Sequence, residues 1–189
     1  MTNKAISRYP LPELTDLPDD IREKILAIQE KADFVPNVFL TLAHRPHEFR
    51  AFFAYHDALM ERDSGLSKAE MEMIVVVTSS DNHCQYCVVA HGAILRIRAK
   101  DPLIADQVAV DYHKADISGR QKAMLGFALK VSNDAVSVSC EDFEMLRQHD
   151  FTDEDIWDIA GITAFFGLSN RMANFISMRP NDEFYNMGR

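Results

Sequence analysis

A helix-start signal that recurs along the chain constrains the fold more than any other feature. In this signal a Ser or Thr is followed three residues later by an acidic or amide side chain, and apolar residues at helical spacing come next. The signal occurs at residues 67–70, 118–121 and 152–155. The hydroxyl accepts a hydrogen bond from a backbone amide of the first turn, and the acid or amide accepts one in return. The three segments therefore predict helices. The last one is apolar on most faces, which predicts a central position.

Apolar residues follow helical spacing in most of the remaining chain. Ile21, Ile25 and Ile28 recur at intervals of four and three residues, which is one stripe of an amphipathic helix. A similar stripe of Phe, Leu and Met residues runs from Pro46 to about Arg62. Further helices are expected after a turn at residues 34–39, over about 84–98, from Asp101-Pro102 and from Ser139.

Residues 74–78 have the sequence Ile-Val-Val-Val-Thr, whose propensity also suits a buried strand. We expect a helix, because a helix start precedes the segment and no other part of the chain is suited to pair with it. The predicted fold class is therefore all-α, a multi-helix bundle. We expect a single domain over residues 1–189 with a core of about 20–180, an extended proline-containing leader, and a polar tail after Ser177 that wraps the surface or a partner subunit.

Two helix starts share an extended pattern. Residues 66–74 and 151–159 both read apolar, hydroxyl, two variable positions, acid, apolar, two variable positions, Ile. The same offset aligns Cys84 with Ser169, and Met172 with the second cysteine of the pair described below. An internal helical duplication whose second copy has lost the chemistry explains the pattern. The general form of any capped amphipathic helix explains it as well, and both explanations stay open at this point.

Charge and hydropathy argue against several classes of partner. The chain has 20 Lys and Arg against 29 Asp and Glu, a formal net charge of −9, whereas nucleic acids and anionic membranes attract basic surfaces. No segment has the run of about 18 apolar residues that spans a bilayer, and the N-terminus lacks the apolar core of a secretory signal. We therefore expect no nucleic-acid or membrane partner and a cytoplasmic location.

A cysteine pair is the candidate centre of chemistry. The chain has 3 cysteines, Cys84, Cys87 and Cys140, too few for a disulfide scaffold. Cys84, Cys87 and His91 are spaced by three and four residues, which places them on one face of a helix. Cys84 falls at the helix start, where unpaired amides stabilise a thiolate, and His91 lies within reach of the Cys87 proton. Thiols three residues apart can also close a disulfide once one is oxidised.

Glu72 adds a carboxylate to this group. If its helix and the cysteine helix form an antiparallel hairpin that turns near residues 80–83, Glu72 and His91 lie at the same depth, roughly 12 Å from the turn at about 1.5 Å per residue. A carboxylate there orients the imidazole and raises its basicity, and an oriented base activates a neighbouring thiol. The sequence thus predicts a Glu–His pair beside two thiols.

Other interpretations of these residues are open. The two cysteines with His91 and His83 are chemically suited to zinc, although a structural zinc site normally takes a second ligand pair from a separate segment. The cysteines are also compatible with a purely structural buried pair. A c-type haem is excluded because Val88 stands where that motif has histidine. We expect no metal and no cofactor, an inert Cys140 in an apolar setting, and a core position for His56.

On these residues the sequence resembles the alkylhydroperoxidase AhpD-like group of the carboxymuconolactone decarboxylase superfamily. The motif of that group is Glu, eleven residues, Cys, two residues, Cys, three residues, His, and it is met by Glu72, Cys84, Cys87 and His91. The resemblance covers about residues 20–180. Similarity to the uncharacterised peroxidase-related branch also lies in the segments 34–38, 42–46 and 82–87.

The resemblance implies an AhpD-like helical bundle, homo-oligomers such as dimers, trimers or hexamers, and peroxide reduction without metal or haem. It also implies that Cys87 attacks the peroxide and that Cys84 then resolves the oxidised thiol. In the same scheme His91 is the base of Cys87, and Glu72 is the relay carboxylate. The helix-start argument alone favours an exposed Cys84 as the more acidic thiol. Because Cys87 is paired with His91, we expect Cys87 to react with peroxide. Either cysteine is open to the reductant, and the helix start allows Cys84 to meet it first.

One position departs from the best-known peroxidase branch, which has a histidine where this chain has Tyr86. A phenol is no base near neutral pH, but it can donate a hydrogen bond to a peroxide oxygen. Tyr86 and His83 are therefore candidates for the substrate pocket.

The function predicted from these observations is a thiol-dependent peroxidase. Its partners are a hydroperoxide substrate and a reducing dithiol protein of the lipoyl or thioredoxin type. One alternative is a decarboxylase of a muconolactone-like acid, which needs no cysteine pair. Another is a non-enzymatic redox sensor or partner-binding module, which forms the disulfide without turnover.

Overall fold

The structure is a computed structural model that describes residues 5–189, so the first four residues of the predicted leader lie outside the described residues. Every regular element in this part of the chain is helical, which confirms the all-α prediction. Within residues 5–189, three short 3-10 helices accompany nine α-helices. The α-helices are α1 Asp19–Ala32, α2 Asn37–Leu42, α3 Pro46–Met60, α4 Lys68–Asp81, α5 Gln85–Ala99, α6 Ile104–Asp111, α7 Gly119–Asp134, α8 Cys140–Arg147 and α9 Asp153–Phe175.

The predicted helix-start signals form in the structure. Ser67, Ser118 and Thr152 each accept a hydrogen bond from the backbone amide three residues on, and the acid or amide at that position bonds back to the cap. The valine-rich segment 74–78 is helical and buried within α4. These caps satisfy amides that the first turn of a helix leaves without partners, which is why helix, rather than strand, forms there.

Helix α6 begins later than the sequence predicts. The expected start was Asp101-Pro102, but α6 starts at Ile104. The carboxylate of Asp101 accepts a hydrogen bond from the Leu103 amide at 2.8 Å. An Asp side chain that bonds to the backbone two residues on forms a turn that competes with helix. The segment 101–103 is therefore a turn that leads into the helix.

The core is built around α4 and α9. Helix α4 packs against α5, α6, α7 and α9, and α9 also contacts α3, α5, α7 and α8. All ten residues from Glu70 to Ser79 on α4 are buried, which agrees with a helix surrounded by others. The central position predicted for the last long helix is confirmed. No helix among the described residues is long and apolar enough to cross a membrane.

The repeated sequence pattern corresponds to matching starts of α4 and α9. Both helices open with the same reciprocal cap. Beyond it they differ, because α4 ends at Asp81 and the chain turns back into α5, whereas α9 continues without a break to Phe175. The structural likeness therefore covers the helix starts and does not extend to the hairpin that contains the cysteines.

The tail crosses the outer side of α5, and residues 177–189 are called the C-terminal strap below. The guanidinium of the buried Arg96 donates hydrogen bonds to the carbonyl oxygens of Phe184 at 2.8 Å and Met187 at 2.9 Å. Asn181 donates to the Val35 carbonyl at 2.9 Å and accepts from the Asn37 amide at 2.8 Å. The strap thus packs on its own chain, which agrees with the predicted surface-wrapping tail.

Candidate active site

Helices α4 and α5 form the antiparallel hairpin that the sequence predicts. The turn is shorter than expected, since α4 extends to Asp81 and α5 starts at Gln85. His83 adopts the left-handed backbone conformation, with φ of 53°, which histidine tolerates better than most residues. Cys84 caps α5, and its amide donates to the Ser79 carbonyl at 2.8 Å. The turn therefore anchors the first cysteine to the end of α4.

Glu72 and His91 meet across this hairpin. The Nδ1 atom of His91 lies 2.8 Å from the Oε2 atom of Glu72. The imidazole also packs edge-on against the Phe166 ring of α9, with ring centroids 4.8 Å apart and planes at 82°. Both members of the pair are largely shielded from solvent, which strengthens the hydrogen bond between them. The imidazole is thus held in one orientation from two sides.

Both cysteines of the motif are free thiols, and both are buried. Cys84 is 0% exposed and Cys87 is 2% exposed, so the expectation of an exposed Cys84 is wrong. The apolar cluster around the two thiols includes Ile176, Met178 and Phe184. The position of Cys84 at the start of α5 is as expected. Its burial is not, because Met178 and Phe184 of the C-terminal strap belong to the same apolar cluster.

The two thiols differ in acidity. Hydrogen bonding by Cys87 is the main cause that lowers the pKa of Cys84 to about 7, with further contributions from Asn170 and from the charge of His91. Hydrogen bonding to Cys84 and burial raise the pKa of Cys87. The ionised form is therefore favoured on Cys84, the thiol at the start of α5. None of the hydrogen bonds among the described residues joins His91 to either sulfur.

Helix α9 supplies polar side chains to the thiols, which sequence reasoning missed. Ser169 Oγ lies 4.0 Å from Cys87 Sγ. Asn170 is fully buried, its Nδ2 donates to Ser79 Oγ at 2.9 Å, and its Oδ1 accepts from Asn82 at 3.2 Å. The only sequence signal was the repeat, which aligned Ser169 with Cys84 but pointed to lost chemistry.

The two candidates for the substrate pocket occupy different positions. Tyr86 is buried, and its hydroxyl accepts a hydrogen bond from the Val38 amide at 3.2 Å. Burial raises the pKa of Tyr86 further, so its phenol stays protonated. His83 is exposed at the tip of the hairpin. A role for either residue in substrate binding stays a prediction. Between residues 5 and 189, no three His, Cys, Asp or Glu side chains converge as a metal-binding group.

The residues at this site match one protein family. Residues 46–109, which include Glu72, both thiols and His91, match the model of the carboxymuconolactone decarboxylase family. The alkylhydroperoxidase AhpD core structure of an uncharacterized peroxidase-related protein from Ralstonia eutropha JMP134 is 72% identical, with a TM-score of 0.98 over 98% of each chain. The chain belongs to the AhpD-like carboxymuconolactone decarboxylase family.

Other solved structures are similar to this AhpD-like chain. An uncharacterized peroxidase-related protein from Silicibacter sp. TM1040 is 40% identical, with a TM-score of 0.93 over 100% of this chain and 99% of that one. The debrominase Bmp8 is 19% identical, with a TM-score of 0.77 over 100% of both chains, and at this identity the likeness shows the fold alone. No curated protein is significantly similar to the chain.

His56 of the AhpD-like chain lies near the Glu72–His91 pair and is half-buried among phenylalanine rings, as a core histidine would be. Its ring centroid is 6.4 Å from that of Phe166, which also contacts His91. Burial lowers the pKa of His56, a hydrogen bond to Asp57 opposes this, and the charge of His91 lowers it further. Electrostatic coupling therefore extends from the Glu–His pair to α3.

Cys140 differs from the sequence expectation. It was expected in an apolar setting, but it is exposed at the first position of α8. The short helix α8 buries Leu146 and turns its first residue to solvent. Any experiment on the thiols of this AhpD-like protein therefore has to account for Cys140.

A cavity of about 640 Å³ lies on the opposite side of α9 from the thiols. Leu168, Met172 and Phe175 of α9 line it, together with side chains of α3 and the leader. Ser169, Asn170 and Ala173 face the other way, toward the cysteines. The cavity of the AhpD-like chain is therefore separated from the thiols by the helix itself and includes none of the candidate site residues.

Proposed function

We propose that the protein is a thiol-dependent peroxidase that reduces hydroperoxides through a dithiol–disulfide cycle of Cys84 and Cys87. The observation that carries the proposal is the 2.8 Å contact between His91 and Glu72 in the same hairpin as two buried thiols. One of these thiols has a pKa of about 7, so about half of it is thiolate at neutral pH. An ordinary thiol is only a few per cent thiolate there, which limits its nucleophilicity.

In the proposed first step, a thiolate attacks the terminal oxygen of the hydroperoxide. The S–O bond forms, the O–O bond breaks, and the alkoxide leaves as an alcohol after it takes up one proton. The product on the protein is a sulfenic acid. His91, oriented by Glu72, is the proposed donor of that proton, because a leaving alkoxide is far more basic than an imidazole.

In the second step, the other thiol attacks the sulfur of the sulfenic acid. The S–S bond forms, the S–O bond breaks, and water leaves with the proton of the thiol. The spacing of Cys84 and Cys87, which both lie at the start of α5, supports this step. A disulfide between residues 84 and 87 completes the oxidative half of the cycle.

We assign the attack on peroxide to Cys84 and the resolving step to Cys87. The family resemblance suggested the opposite order, with His91 as the base of Cys87. The lowered pKa of Cys84 and the raised pKa of Cys87 support the revised order, because the thiolate is the nucleophile. Cys87 then acts first as the hydrogen-bond donor that stabilises the Cys84 thiolate.

A dithiol protein of the lipoyl or thioredoxin type is the proposed electron donor. Its two thiols reduce the disulfide by exchange and become a disulfide themselves. Assembly into homo-oligomers stays a prediction as well. The side chains of Tyr55, Leu168 and Phe175, each more than half exposed, form the apolar surface on which a subunit contact can be tested.

The direct test measures cumene hydroperoxide consumption in a Cys140→Ser background, with dithiothreitol as the reductant. We expect multiple turnovers, with one cumyl alcohol formed per hydroperoxide consumed. The Cys84→Ser variant is expected to lose turnover, and in the absence of dithiothreitol only Cys87→Ser should form a lasting sulfenic acid. Equal hydroperoxide loss in the background protein and in a Cys84→Ser/Cys87→Ser variant would refute the peroxidase proposal. Sulfenic acid on Cys87 in the Cys84→Ser variant would reverse the two roles.

The same variants, assayed for decarboxylation of a muconolactone-like acid and for disulfide formation, separate the alternatives. A decarboxylase does not depend on the thiols, so its activity would survive the double substitution. A redox sensor would form the disulfide with peroxide but would show no turnover with any reductant.

A further inference from the structure

Helix α9 presents an apolar side to solvent over most of its length. Positions spaced by four or seven residues fall on one side of a helix, and this side is called the outer face of α9 below. Its exposed residues are Trp157, Ala164, Leu168 and Phe175. Trp157 is 72% exposed, and Leu168 and Phe175 are each more than half exposed. Contiguous exposed apolar residues mark interaction sites, whereas scattered ones do not.

Charge is almost absent from this part of α9. In the segment 156–170, Asp158 is the only charged residue. It is buried, and its carboxylate accepts hydrogen bonds from Arg62 and Ser64. Charged residues make up 26% of the whole chain, and the solvated face of a helix normally has its share of them. The outer face of α9 is therefore suited to contact with another apolar surface.

The C-terminal half of the outer face borders the cavity of about 640 Å³. Ala164, Leu168 and Phe175 all line this cavity, whereas Trp157 does not. The walls contributed by other elements are mostly aromatic or aliphatic and include Tyr9, Leu42, Phe49, Phe52 and Tyr55. The outer face thus has an exposed aromatic side chain toward one end and an apolar cavity toward the other.

These two features are placed symmetrically about Ala164. Trp157 lies seven residues before Ala164 and Arg171 lies seven residues after it, roughly 10 Å in each direction at about 1.5 Å per residue. If two copies of α9 pack antiparallel with a two-fold axis at Ala164, Trp157 of each copy lies level with residues 168–172 of the other copy, beside the cavity. Such a contact is self-complementary, because each pair of residues occurs twice.

Arg171 gives the indole a second attraction in this arrangement. It is exposed, and its guanidinium donates a hydrogen bond to the Gly167 carbonyl at 2.6 Å, which holds it along the helix. In the antiparallel pair, the guanidinium of one copy is level with the Trp157 indole of the other. A guanidinium is attracted to the face of an indole, and Trp and Arg are the residue types that contribute most to binding at protein interfaces.

We propose that the outer face of α9 is a two-fold interface between copies of this chain, in which Trp157 of each copy inserts into the cavity of the other. A second copy covers both the indole and the cavity through one contact. A small apolar molecule in the cavity would leave Trp157 in water, and an unrelated protein would not require the symmetry about Ala164. The inference does not depend on peroxide reduction.

The first experiment uses the fluorescence of Trp157, the only tryptophan in the chain, together with sedimentation. We expect the native protein to form an assembly with an even number of chains. In Leu168→Glu the mass of this assembly is expected to halve. Acrylamide quenching of Trp157 should then rise about threefold, because an interface excludes water from its central residues. Val136→Glu is the matched control: Val136 is also an exposed apolar residue, but it lies outside α9, so both readouts should stay unchanged.

A second measurement leaves the large side chains of the interface in place. Ala164→Cys is made in a Cys84→Ser/Cys87→Ser/Cys140→Ser background and treated with a short bismaleimide. We expect a covalent dimer, because the axis brings the two copies of residue 164 together. The control is Glu154→Cys, at an exposed position of the same helix. It should stay monomeric, since its two copies are roughly 30 Å apart along the axis.

Three results would overturn the proposal. The first is a monomeric native protein, with or without a small molecule bound to it in native mass spectrometry. The second is an unchanged mass and unchanged quenching in a folded Leu168→Glu variant. The third is cross-linking at position 154 rather than 164. None of these measurements involves peroxide turnover, so this proposal and the peroxidase proposal fail separately.

Discussion

The Nδ1 atom of His91 lies 2.8 Å from the Oε2 atom of Glu72, and the two residues come from facing helices of one hairpin. A carboxylate that accepts the Nδ1 proton leaves Nε2 as the atom that exchanges protons with a reactant. The Phe166 ring restrains the imidazole from a third helix. The imidazole is thus oriented by Glu72 and Phe166, and not by a contact with either sulfur among the described residues.

Replacement of Glu72 by Gln tests this pair. The amide has the same size, but it removes the charge that supports a protonated imidazole during proton transfer. We expect the peroxide reduction rate to fall at least about tenfold, with little change in the thermal unfolding temperature. Glu61→Gln, an exposed acid at the end of α3, is the control. Equal rates for the two variants would show that the carboxylate has no part in the reaction.

The pH dependence of thiol reactivity tests the acidity of Cys84. Because its pKa is lowered to about 7 and the thiolate is the reactive form, the alkylation rate is expected to rise through neutral pH and to level off above it. In Cys87→Ala the midpoint should move upward, since hydrogen bonding by Cys87 is the main cause of the low pKa. The rates are measured in a Cys140→Ser background. A midpoint that stays the same without Cys87 would contradict the account.

Replacement of Arg96 by Met tests the attachment of the C-terminal strap. The buried guanidinium donates to two strap carbonyls, and its loss leaves these acceptors without their partner. We expect the free energy of unfolding to fall by about 1–3 kcal/mol and Cys84 to be alkylated faster. The control is Arg98→Met, because Arg98 is exposed on the same helix. Urea unfolding and alkylation rates measure both effects, and identical results for the two variants would disprove the role of Arg96.

The sequence predicted the hairpin and the facing Glu–His pair because both follow from local rules. Helix caps and the spacing of residues 72, 84, 87 and 91 depend on the geometry of single helices and on one turn. The burial of Cys84 could not be predicted in this way. It depends on the C-terminal strap, which is far from Cys84 in the sequence. Arg96 holds the strap through backbone carbonyl groups, and because every residue has such a group, no sequence motif marks this contact.

The contributions of α9 were hidden for a related reason. Ser169 and Asn170 are ordinary polar residues in a helix, and only the packing of α9 against the hairpin gives them thiols as neighbours. The helix-start rule and the lowered pKa of Cys84 point to the same thiol. The sequence spacing of Cys87 and His91 suggested a hydrogen bond that is not present among the described residues.

The central claim is that peroxide oxidises the pair Cys84 and Cys87 to a disulfide. The most direct measurement is a thiol titration under denaturing conditions, made before and after one equivalent of cumene hydroperoxide is added to the reduced protein. Of the 3 cysteines in the chain, we predict that only the Cys140 thiol remains, with a disulfide between Cys84 and Cys87 identified by peptide mapping. Retention of the Cys84 and Cys87 thiols in the presence of peroxide would contradict the account.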